Sequence, residues 1–135
     1  MADKHVLDAH ALVWFLVGSP KLGADARAIL EAPDSDLYLP LIALAEACWL
    51  VEKGRAPSIA SVPDLLAAVD ADRRVTLVPL DRSILDRSLN LTSVAEMHDR
   101  QIVATALQLA SASSSVALLT CDVNITASGL VSVIW

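Results

Sequence analysis

The chain has 135 residues, enough for one domain with a real core, and 55% of them are apolar, which excludes a disordered polypeptide. Aromatic residues make up only 4%, so Leu, Val, Ile and Ala must build that core. A formal charge of −6 argues against a broad basic face that grips nucleic acid, but not against an enzyme that meets a polyanion through local arginines and bound cations.

The predicted elements alternate between strand and helix. Lys4 to Leu7 reads as a strand, followed by an apolar helix over His10 to Val17 that Gly18-Ser19-Pro20 ends. Ala24 to Glu31 is a second, short helix stopped near Pro33, and Asp36 to Leu39 is a second strand ending at Pro40. Ile42 to Lys53 carries a strong helical pattern, with Gly54 as its C-terminal stop. Ser61-Val62-Pro63-Asp64 opens a helix that runs to about Asp72, Pro63 fitting its first turn. Val75 to Val78 is the third strand, and Asp81 caps a helix through about Leu89. Asp99 to Ala110 is helical, and a soft loop covers Ser111 to Ser115. Val116 to Thr120 is the fourth strand and Val131 to Trp135 the fifth.

This alternation predicts a single α/β domain over residues 1–135, a parallel sheet flanked by helices on both faces. The continuous apolar runs VALL and VTLV agree, because such strands are covered on both sides. Ligands of open α/β sheets bind beyond the carboxyl ends of the strands, which is where Asp8 and Asp122 fall. No stretch reaches the ~18 uninterrupted apolar residues of a membrane span. The opening MADKHVLDAH lacks the apolar segment of a secretory signal. Cys48 and Cys121 read as buried free thiols in a reducing cytoplasm, and no Cys/His cluster has zinc-ligand spacing.

Four acids stand out against these apolar surroundings. Glu46 sits in LIALAEACWLV, where the helix has almost no polar face. Asp99 opens DRQIVATALQLA, and Asp8 and Asp122 follow apolar strands. A bland account exists: Asp8, Asp99 and Asp122 as helix caps, and Glu46 as an acid favoured by the helix dipole. It leaves unexplained why both strands deliver an acid to one sheet edge. Two unit charges ~4 Å apart repel by about 4 kcal/mol at an effective dielectric of 20, so a cluster must be protonated or neutralised by a cation. Oxygen-only ligands of high charge select a hard ion, Mg²⁺ or Mn²⁺, and point to phosphodiester chemistry.

The motifs VLDAHALVWFL, MHDRQIVATAL, LLTCD and the closing GLVSVIW, with the Glu46 helix between the first two, resemble in order a PIN-domain ribonuclease of the VapC toxin type, over essentially the whole chain. The resemblance implies a PIN-like fold with five parallel strands. It makes Asp8, Glu46 and Asp99 metal ligands, and Asp122 completes the acidic site directly or through water. Thr120 would orient that site. Mg²⁺ or Mn²⁺ would activate water against RNA, leaving 5′-phosphate and 3′-hydroxyl ends. It also implies a cognate VapB-like antitoxin, seated in a groove bordered by Trp14, Phe15 and Trp49, and a homodimer. One departure is visible: many relatives carry a Ser or Thr shortly before the helical Glu, whereas LPLIALAEA has no hydroxyl between Pro40 and Glu46.

Other residues have two readings each. Arg100 would contact a phosphate or pair with a nearby acid. Asn124 would hold a metal-bound water or shape a turn. His10 and His98 lie near the site acids as secondary candidates for proton transfer or substrate contact. The tryptophans are more often core than surface. Two other classes stay open, a PIN-like module that binds without catalysis and a phospho-receiver domain. The latter wants adjacent acids after strand one and a lysine near the last strand, whereas Lys4, Lys21 and Lys53 are the only lysines here.

Overall fold

The computed structural model describes residues 2–110 and 113–135; positions 111 and 112 of the expected Ser111 to Ser115 loop lie outside the described residues. The element order is β1 (Lys4–Leu7), α1 (Ala9–Leu16), α2 (Ala24–Glu31), β2 (Leu37–Pro40), α3 (Leu41–Glu52), α4 (Val62–Ala71), β3 (Val75–Val78), α5 (Arg82–Leu89), α6 (Met97–Leu109), β4 (Val116–Leu119), α7 (Val123–Ser128) and β5 (Ser132–Ile134). The strands form one five-stranded sheet in the order β3-β2-β1-β4-β5, every pairing parallel.

That order positions the site. The chain leaves β1 towards β2 and β3 on one side, then returns to place β4 against the other side of β1 and moves outward to β5. Right-handed crossovers put the helices of opposite excursions on opposite faces. The change of direction between β1 and β4 opens a crevice at their carboxyl ends. Leu7 lies opposite Leu119, so the next residues, Asp8 and Thr120, emerge side by side from the two central strands.

The core is aliphatic. Val6, Leu37, Leu39, Leu118 and Leu119 are fully buried in the central strands, covered by Ala43, Leu44, Ala47 and Leu50 of α3 and by Ile102, Val103 and Ala106 of α6. Each buried Leu or Val contributes roughly 1.5–3 kcal/mol over its exposed state. A polar clamp ties the far end of the sheet. Arg74 donates to the carbonyls of Leu30 (2.6 Å) and Ala32 (2.7 Å) at the end of α2, and grips both oxygens of Asp72 at 3.0 and 2.7 Å.

Four expectations need correction. VTLV, forming β3, is not covered on both faces: it is the sheet edge, and Thr76 and Leu77 are exposed. VALL, one strand from the centre, is buried as expected. A short helix, α7, follows Asp122 where no element was predicted; Gly129, at φ +65°, closes it in the left-handed conformation that glycine adopts without strain. The Asp99 helix begins two residues earlier, at Met97, so Asp99 is not its cap. Finally, Cys48 is only half-buried and Cys121 is exposed, both as free thiols.

Candidate functional site

Four elements contribute one acid each. In a parallel α/β unit the crossover helices run antiparallel to the strands, so their N-terminal turns lie at the strands' carboxyl edge. Asp99 stands in the first turn of α6 and Glu46 in the second turn of α3, both brought to that edge. Asp8 follows β1 and Asp122 follows the end of β4. All four line one cleft of about 460 Å³, with His10, Trp14 and Asn124 on the same wall.

Asp8 and Asp122 do cap helices, as the bland account holds. Ala11 N–H donates to Asp8 Oδ1 (2.8 Å) and Ile125 N–H to Asp122 Oδ1 (2.9 Å). These bonds fix the carboxylates at the cleft rather than explain them away, because each uses one oxygen as the cap acceptor. Thr120 is wholly buried between them. Its hydroxyl accepts from Asp122 N–H (3.1 Å) and hydrogen-bonds to Asp8.

The electrostatics record the crowding. Burial raises the Asp8 carboxyl above its ordinary range, against the bonds from Thr120 and Ala11. Glu46 is raised by burial first, with His98 and His10 opposing and Asp8 and Glu96 adding to the rise. Asp99 is pushed up to about 6 by burial and then by Asp122, Glu46, Glu96 and Asp8. Glu46 Oε1 is buried and receives no hydrogen bond; no hydroxyl side chain between Pro40 and Glu46 is there to supply one. A buried carboxylate oxygen without a donor costs about 1–3 kcal/mol or more, so it calls for a proton or a cation.

The donor set fits a hard divalent cation: carboxylate oxygens, mutually repelling, one of them orphaned. Among the described residues, however, no group of three or more His, Cys, Asp or Glu side chains already converges as a metal cage. A bound ion would have to draw the carboxylates of Asp8, Glu46, Asp99 and Asp122 closer together.

The remaining candidates divide. Arg100 does not line the cleft; its Nε donates to the Val94 carbonyl at 2.5 Å and its side chain borders a separate hollow beside α5. His98 lies at the edge of a neighbouring hollow, 3.9 Å from Glu96. Trp14 packs against His10 (5.0 Å) and Trp135 (5.7 Å). Phe15 packs on the core and lines neither space, whereas Trp49 is 47% exposed in the neighbouring hollow. The tryptophans are therefore not uniformly core. Among the polar residues of the cleft wall, Glu96 and Cys121 were not read as site residues from the sequence. Glu96 had a signal: it stands at the N-cap, three residues before Asp99 in the first helical turn.

A parallel sheet with acids gathered at its topological switch point defines a class of small α/β proteins whose chemistry is built from carboxylates. The family model named PIN domain matches residues 5–127, and the chain belongs to that family. PIN domains are in general nucleases that use divalent metal ions, which removes the phospho-receiver alternative. No curated protein matches the chain. Similar solved structures include a toxin-antitoxin complex from Klebsiella pneumoniae, at TM-score 0.69 and 20% identity over 97% of this chain and 96% of that one. VapBC2 from Rickettsia felis, bound to a DNA fragment from its promoter, has TM-score 0.66 at 14% identity, covering 97% of each chain. VapBC-1 from nontypeable Haemophilus influenzae has TM-score 0.61 at 18% identity over 97% and 96%. At these identities the likeness is one of fold.

Proposed function

We propose that the chain is a VapC-like endoribonuclease toxin, dependent on Mg²⁺ or Mn²⁺, hydrolysing RNA and held in check by a VapB-like antitoxin. The observation that carries this reading is the meeting of Asp8, Glu46, Asp99 and Asp122 in one cleft, with Glu46 Oε1 buried and undonated. Those four residues would hold the ion, which when bound neutralises the carboxylates and makes water a nucleophile towards a phosphodiester.

The chain's own groups do the rest. Asp8 and Asp122 are oriented by their cap bonds and by Thr120, so their direction is set before anything binds. Burial and neighbouring acids raise the carboxyls of Asp99 and Glu46, a penalty on their charged forms that a bound cation would relieve. His10 and Asn124, which line the cleft, would meet the phosphodiester, whereas Arg100 lies outside the cleft with its Nε on the Val94 carbonyl. The toxin assignment and a paired antitoxin are supported by the PIN family and by the toxin-antitoxin and VapBC complexes among the similar structures. Homodimer formation goes with the same assignment.

The test is RNA cleavage by purified, antitoxin-free protein in Mg²⁺, Mn²⁺ and EDTA. Asp99→Asn should lose at least about 10²-fold in rate, beyond the 10- to 100-fold that loss of an outer partner costs. Equal cleavage in EDTA, or by Asp99→Asn, overturns the reading.

A further inference from the structure

Beside the acidic cleft lies a second hollow, of about 560 Å³, which shares His10, Glu46 and Glu96 with it and continues past Trp49, Leu50 and Arg55. We propose that this hollow is a subsite for one unpaired base of single-stranded RNA, stacked on Trp49 while the adjoining phosphate is met by Arg55 and Lys53. The proposal rests on the nuclease reading, since the strand it seats is the one presented to the four carboxylates.

Three observations commit the hollow to this occupant. Trp49 lies in the third turn of α3, one turn beyond Glu46, and nearly half of its surface faces solvent. An indole in that setting offers a flat face, and aromatic faces accept any base without hydrogen-bond readout. Second, Arg55 and Lys53 lie over that ring, 5.1 Å and 5.9 Å from its centre, so a base that stacks there would turn these flexible side chains aside towards its phosphate. Among the described residues neither cation is in an ion pair, although the chain carries an excess of acids. Cations held over an exposed indole and by no acid, in an acidic protein, are complementary to a base with its phosphate. Third, the hollow and the cleft share His10, Glu46 and Glu96 on their walls, so a strand seated in one is brought next to the other. A protein segment in the same hollow would leave the two cations unanswered unless it brought acids there.

The experiment measures binding and cleavage separately. A fluorescein-labelled random 12-mer oligoribonucleotide is titrated with the wild type, Trp49→Ala, Trp49→Phe and Arg55→Gln in Ca²⁺, and cleavage is followed in Mn²⁺. Circular dichroism checks folding, which an exposed ring should not control. Trp49→Ala should raise Kd about 5- to 150-fold, the equivalent of ~1–3 kcal/mol of stacking, while Trp49→Phe restores most of it. Arg55→Gln should weaken binding and flatten its salt dependence. Unchanged Kd in Trp49→Ala, with cleavage intact in the wild type, overturns the subsite and leaves the nuclease reading standing. Trp49-dependent binding without cleavage by the wild type does the reverse. If Trp49→Ala leaves RNA binding unchanged and instead releases a copurifying protein, the hollow belongs to that protein and the proposal is overturned.

Discussion

Asp99 carries the clearest consequence at the scale of single residues. Its carboxyl is pushed up to about 6, against about 3.9 for an unstrained aspartate. Between those pH values the folded chain holds a proton that the unfolded chain has released. Stability of the metal-free protein therefore falls as pH rises from about 4 to 6 and stays low above that. Asp8 and Glu46 shift in the same direction and deepen the loss. Asp99→Asn should raise Tm by a few degrees at pH 8 without divalent ions, and by little at pH 4; for a domain of this size ~1 kcal/mol corresponds to about 2–8 °C. Mn²⁺ should raise Tm of the wild type at pH 8 much more than at pH 4, where protons compete for the raised carboxyls of Asp8, Glu46 and Asp99. Calorimetry at the two pH values checks both. A wild type more stable at pH 8 than at pH 5 in EDTA would contradict this account of the cleft.

Among the elements, the joint between α2 and β3 depends on one side chain. Arg74 satisfies two carbonyls that α2 leaves at its end and binds Asp72 through two nitrogens. The same contact holds the Asp72 carboxyl below its ordinary range. Arg74→Ala strands the Leu30 carbonyl and leaves Ala32 and Asp72 with only backbone donors, from Ser35 N–H and from the N–H of residue 74, and should cost about 1–3 kcal/mol in urea unfolding. Arg74→Lys should recover only part, because an ammonium cannot reproduce the planar fork. The boundaries of α2, α5 and β3 match the sequence expectation closely, since caps and stops there are local: Asp81 accepts from Ile84 N–H as a cap should. The helix α7 escaped because it is short and Gly129 ends it after only six residues. Its cap, Asp122, was legible as a cap, but the helix itself has no periodicity long enough to read.

Across the whole molecule, strand order decides what sequence composition cannot. VALL and VTLV look alike, yet β4 lies next to the central strand and β3 is an edge. Leu118→Ala should cost about 2–5 kcal/mol, as full burial demands, whereas Leu77→Lys should stay within ~0.5 kcal/mol and blunt the open edge. Urea midpoints of the two variants check the contrast, and similar losses for both would contradict the order β3-β2-β1-β4-β5. The sequence by itself determined the alternation of elements, the five strands and the four acids, because periodicity, caps and an acid after an apolar run are local signals. It also showed that Glu46 had no polar company on its own helix. Only the tertiary structure decided what that company is: Asp8, His10, Glu96 and His98 arrive from other elements, across sequence separations that no local pattern spans. Likewise, only the packing turned Arg100 to a backbone carbonyl and Trp49 to solvent. Which face of a helix is covered depends on where the neighbouring elements lie.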